Sequence, residues 1–284
     1  MKKSMKKLVT VLMVVAIAVN CGACKSESSG KASVPSGTKE NIELIKKSVD
    51  DIEDYLRTID NLAEKYVSEE ESDEEQTFAE ISQQTAEAIE KVEKYAEKIA
   101  SIKKDINALP TNVEDENILK TYNAAKKYVA DAENLHSIVI ELLKFDKAVT
   151  DVFTAYETVT PTGTTQLEIA YSNYTIMKTI VEGLEATECP DYALNAFVEC
   201  IDQYKNLQEC YAQYHDAILA NDTVTQVSTN YLYGYLEADR IEAIQQLADR
   251  CDEQMEGIRK QIKDEAKVLQ NEIMTNCDKV LEVI

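Results

Sequence analysis

From Lys39 to the C-terminus, apolar residues recur at alternating steps of three and four, and little interrupts them. The first run is Ile42, Ile45, Val49, Ile52, Leu56, Ile59, Ala63 and Tyr66. The second is Ile81, Thr85, Ala88, Val92, Tyr95, Ile99, Ile102 and Ile106. A side chain returns to one face of a helix every 3.6 residues, so these are seams of amphipathic helices. The chain holds 7 Gly and 4 Pro, and three of the glycines precede residue 38. A sheet protein of this length needs far more turn-formers. The fold class expected is therefore all-α: an elongated antiparallel bundle of about six helices.

Punctuation divides the bundle. Ser72 and Glu75, inside an acidic run, have the spacing of a capping box for the second helix. Leu109-Pro110 ends it, and Thr111 with Glu114 offers a box for the third, which runs to about Tyr156. Pro161 and Gly163 mark a loop, a fourth helix covers about 166–187, and Pro190 suits the first position of a fifth. Asn221-Asp222 reads as a turn and cap before a last helix that runs to Ile284, with Gly234 and Gly257 as bends. The third and sixth helices are about twice as long as the fourth. Their lengths suit two four-helix sub-bundles end to end: the first two helices on the front of the third and the back of the sixth, the fourth and fifth on the remainder.

The first forty residues carry a different signal. Lys2, Lys3, Lys6 and Lys7 precede an apolar run from Leu8 to Ala18, broken only by Thr10. That is the layout of a secretory signal peptide, and the run is short for a membrane span. The stretch Cys21-Gly22-Ala23-Cys24 resembles the lipobox of bacterial lipoproteins, with Cys21 in place of the usual leucine. The resemblance covers 1–24. It implies cleavage before Cys24, lipidation of Cys24 and attachment to the outer side of a bacterial membrane. Ala16-Ile17-Ala18 offers an ordinary cleavage site instead, which would release a soluble protein. Residues 25–38, rich in Ser, Gly, Lys and Pro, read as a flexible tether before a bundle domain at 39–284.

Net charge is −22, and −26 without the first 23 residues. Such a surface repels phosphate backbones, so nucleic acid is not an expected partner. Chemistry-bearing patterns are sparse. Cys189, Cys200, Cys210, Cys251 and Cys277 lack metal or redox spacing and suit small buried apolar positions. His136 and His215 belong to no ligand motif, and Asp146–Glu157 fails as a calcium loop, with Asp151 where glycine is needed. No catalytic group and no cofactor is expected.

Tyrosine is the uneven feature: of 15, nine lie between 171 and 235. Tyr174, Tyr204, Tyr211, Tyr214, Tyr231, Tyr233 and Tyr235, on the fourth to sixth helices, are the candidate partner or ligand face. Tyrosine suits both roles, with a large apolar body and a polar tip. Two functions fit: a non-catalytic lipoprotein scaffold or adaptor for a cell-envelope protein, or a ligand-sensing module with a Tyr-rich pocket between those helices.

Overall fold

The computed structural model describes residues 37–68 and 77–283. The signal peptide, Cys24, almost all of the tether, the acidic run and the Ser72/Glu75 box lie outside these residues. The described chain is all helical: α1 (Thr38–Ser68), α2 (Phe78–Glu93), α3 (Ala96–Asn107), α4 (Glu116–Thr158), α5 (Gln166–Glu185), α6 (Leu194–Leu219), α7 (Thr223–Lys260), a π-helical turn (Gln261–Ala266) and α8 (Lys267–Val283). The pair α2/α3 is one rod interrupted at Lys94-Tyr95, and α7 to α8 is another, so six rods result. They form an antiparallel helical bundle, with α5 and α6 packed along each other.

Three of the expected helix starts move. α2 is closed by Thr77 and Glu80: the Glu80 carboxylate accepts from Thr77 N at 2.8 Å, and Thr77 Oγ1 accepts from Glu80 N at 3.2 Å. α4 is capped by Asp115, whose Oδ1 accepts from Asn117 N and Ile118 N, and not by Thr111 with Glu114. After Pro190 a tight turn intervenes, with Ala193 N donating to Pro190 O at 3.0 Å, and α6 starts at Leu194. Gly234 and Gly257 lie inside α7, and the irregularity falls instead at the π-turn.

Contacts divide the chain into two compact units. One contains the described residues of Lys65–Ile89 and Glu141–Met255. All four phenylalanines of the chain meet in its core. Phe78 and Phe153 are 5.1 Å apart, Phe145 and Phe197 5.3 Å, and Phe153 stacks on Tyr204 at 5.8 Å. The front of α2 therefore belongs with α5 and α6, where its length had suggested otherwise, because Phe78 and Ile81 pack into this aromatic core. The other unit contains residues 37–64, 90–140 and 256–283. Its core is aliphatic, built on Ile42, Ile45, Ile52, Ile59, Ile106 and Ile118, with Tyr55, Tyr122 and Tyr128 buried beside them. Each such side chain contributes about 1.5–3 kcal/mol by leaving water.

Candidate interaction surface

The candidate tyrosines divide between core and solvent, and the division follows from helix geometry. Residues advance about 100° each around α7. Thr229, Tyr233, Leu236, Arg240, Ala243, Ile244 and Leu247 fall within an arc of about 100°, and this side faces the core. Val224, Val227, Tyr231, Tyr235 and Ala238 fall within an arc of about 80° on the opposite side, and all are exposed.

The inward group centres on Arg240, which is 6% exposed. Its Nη1 donates to Tyr204 Oη at 3.1 Å, and its Nε donates to Glu237 at 3.0 Å, with a second bond from Nη2. The guanidinium also stands 5.5 Å from the Tyr204 ring and 6.0 Å from the Tyr156 ring. Tyr211 packs on Tyr233 at 5.5 Å beside this group. A buried cation held by a carboxylate, a phenol and ring faces is a satisfied structural cluster. Arg240 had no signal in the sequence beyond its position in the α7 periodicity.

Tyr174 and Tyr214 are half-buried. Tyr174 packs at 6.3 Å on the exposed Tyr171, which also meets His215 at 5.8 Å. The candidate set is thus not one site. A groove of about 520 Å³ between α6 and α7 is bordered by Glu199, Gln203, Asp239, Glu242, Arg250 and other residues, with no tyrosine among them.

The outward face is Tyr231 (75% exposed), Tyr235 (72%), Val224 (78%) and Val227, with Leu232 and Leu219 also exposed. Residues 223–236 carry no charged side chain, in a chain that is 29% charged. Val and Thr are indifferent helix formers, so this segment needs local support. Asn221 takes a left-handed φ of 53°, which ends α6. Asp222 Oδ1 then accepts from Val224 N and Thr225 N, both at 3.1 Å. Gln226 Nε2 donates back to Ala217 O at 3.1 Å, and buried Thr229 donates to Thr225 O at 2.8 Å. The face is thereby fixed on a capped, packed helix.

The remaining chemistry-bearing residues are accounted for structurally. All five described cysteines are free. Burial pushes their thiols up, to about 11 for Cys189 and Cys277 and about 12 for Cys200, which keeps them protonated. His136 is half-buried at 3.2 Å from Tyr55 Oη, and burial lowers its pKa. His215 pairs with Asp216 at 3.2 Å. Among the described residues no group of three His, Cys, Asp or Glu side chains is set to hold a metal, and no helix is long and apolar enough to cross a membrane. Comparison of the chain with protein-family models, with curated proteins and with solved structures gives no match.

Proposed function

We propose that this protein is an exported lipoprotein, held to the outer side of a bacterial membrane through Cys24, that works as a non-catalytic scaffold or adaptor and contacts its partner through the outer face of α7. The observation that supports it most is that face itself. Exposed apolar residues scattered singly are ordinary, but a stripe of them on a segment free of charge marks a contact surface. Tyr231 and Tyr235 supply large area at low side-chain entropy, as interface anchors do. The basic and apolar start of the chain and the Cys21-Gly22-Ala23-Cys24 stretch support export and anchoring.

Two measurements test the reading. Replacing Cys24 with Ala moves the protein out of the membrane fraction of producing cells; unchanged membrane attachment would contradict the anchor. Replacing Tyr231 and Tyr235 with Ser, both exposed, reduces recovery of crosslinked partner at least tenfold with an unchanged helical circular-dichroism spectrum. Equal recovery would remove α7 as the contact face.

A further inference from the structure

We infer that the outer face of α7 and the acid-lined groove beside it form one docking strip for a basic, amphipathic helical segment of the partner protein. The inference rests on reading that face as a contact surface, and names the chemistry of its occupant.

The first argument is continuity. At about 100° per residue, Val224, Tyr231, Tyr235, Glu242, Asp249 and Glu253 fall within an arc of about 40° on α7. The last three border the groove of about 520 Å³ between α6 and α7. The exposed aromatic stripe therefore runs on into the groove. From Val224 to Glu253 the strip is about 44 Å long. A small molecule covers a fraction of that length, whereas a helix laid along it meets both halves.

The second argument is charge. Five carboxylates border the groove, those of Glu199, Asp239, Glu242, Asp249 and Glu253, against one cation, Arg250. Arg250 pairs with Glu253. Glu199, Glu242 and Asp249 accept from the neutral side-chain amides of Gln203, Gln246 and Gln245 at 2.6, 3.3 and 2.8 Å. Among the described residues none of these three carboxylates, nor that of Asp239, has a cation within ion-pair distance. Carboxylates gathered in a concave site repel one another and focus a field that draws in cations. The same charge turns away nucleic acid, anionic lipid and a second chain at −22.

The third argument is the aromatic half. The exposed rings of Tyr231 and Tyr235 take an apolar side chain, and they also take a guanidinium or ammonium group over their faces. Segment 223–236 holds no Lys or Arg to occupy them. The segment that fits is therefore apolar or arginine-bearing opposite 224–235 and rich in Lys and Arg opposite 239–253. Its attachment weakens as salt rises.

Photocrosslinking with the full-length chain in producing cells tests this. A photoreactive phenylalanine analogue is placed at Tyr235, on the stripe, or at Gln246, in the groove. The adducts are digested and the attached peptides sequenced. Both positions reach one segment of one protein, with Lys and Arg outnumbering Asp and Glu where Gln246 is joined. Asp239→Lys with Glu242→Lys lowers the Tyr235 adduct at least tenfold, with the helical spectrum unchanged. Glu43→Lys with Asp50→Lys, at exposed positions on α1, leaves it within twofold. Equal losses from the two pairs mean attraction to net charge alone and overturn the groove as a site. Adducts from Tyr235 to an acidic segment, to lipid or to a second copy overturn the basic partner and leave the contact face standing. Adducts from Tyr235 and Gln246 to different proteins overturn the continuous strip. No adduct from Tyr235 overturns the contact face and this inference together.

Discussion

At the scale of single residues, the side chains that matter are polar groups placed inside. Asp146 is half-buried on α4, and its Oδ2 lies 2.9 Å from Thr85 Oγ1. That hydroxyl also points at Ile81 O at 2.9 Å. The Thr85 hydroxyl donates to the carboxylate, which favours its charged form, but burial outweighs that bond and raises the Asp146 pKa to about 6. The folded state binds this proton more tightly than the unfolded chain, where the pKa is about 3.9. The associated stability is present below about pH 4 and is lost as pH rises through about 6, at a cost of about 2–3 kcal/mol at pH 7. Asp146→Asn is therefore more stable than the wild type at pH 7, and the gap closes by pH 4. Paired thermal melts across that range check this, and a gap independent of pH would contradict it. Arg240→Ala leaves the half-buried Glu237 carboxylate and the Tyr204 hydroxyl without their partner and lowers stability in denaturant titration, while Arg240→Met with Glu237→Gln restores most of it. Neither Asp146 nor Arg240 was legible as special in the sequence. Carboxylates and arginines are common here, and burial of their polar ends depends on which helices meet.

At the scale of elements, periodicity was the legible part. Six rods, a helix start near 166 and the Asn221-Asp222 cap can all be read from residue order. Thr165 accepts from Glu168 N and Glu168 bonds back, a complete box. Helix starts were less legible where the pattern repeats. Ser72/Glu75 and Thr77/Glu80 satisfy the same spacing, and the described α2 starts at the pair beside Phe78, where the aromatic core sets the first turn. The last rod shows a further limit. Its apolar stripe alternates three and four from Ile241 to Ile262, then runs four, three and four through Ala266, Leu269 and Ile273, an 11-residue pattern that drifts about 20° per repeat on a regular helix. The π-turn at Gln261–Ala266 holds an extra residue in one turn and absorbs such drift. Deleting exposed Asp264 from that turn therefore leaves a cooperative thermal transition. Deleting buried Ala248 from α7 rotates everything after it by about 100° and removes the transition. Asp222→Ala loses the α7 cap and lowers the midpoint of chemical denaturation; no loss would mean that packing alone sets this helix start.

At the scale of the whole molecule, the chain is strongly acidic, and α7 carries a stretch, 223–236, with no charged side chain. The tyrosine cluster was visible in the sequence, but its meaning needed a direction for the core. With Arg240 and Tyr233 fixed inward, Tyr231 and Tyr235 must point out, two residues being about 200° apart on a helix. The same geometry sets Tyr204 and Tyr233 on the core side and Tyr231 and Tyr235 on the solvent side. What remains is a charge-free, exposed, capped helical face on a chain whose net charge of −22 discourages casual association. The most direct test is photocrosslinking from that face in intact producing cells. A photoreactive phenylalanine analogue placed at Tyr231 or Val227, with Val268 as the control, is followed by mass spectrometry of the adducts. Dominant adducts to one partner, a second copy included, from Tyr231 and Val227 but not from Val268, are the predicted result. Equal adducts from all three positions, or none from Tyr231 and Val227, would contradict the claim that α7 carries the contact face.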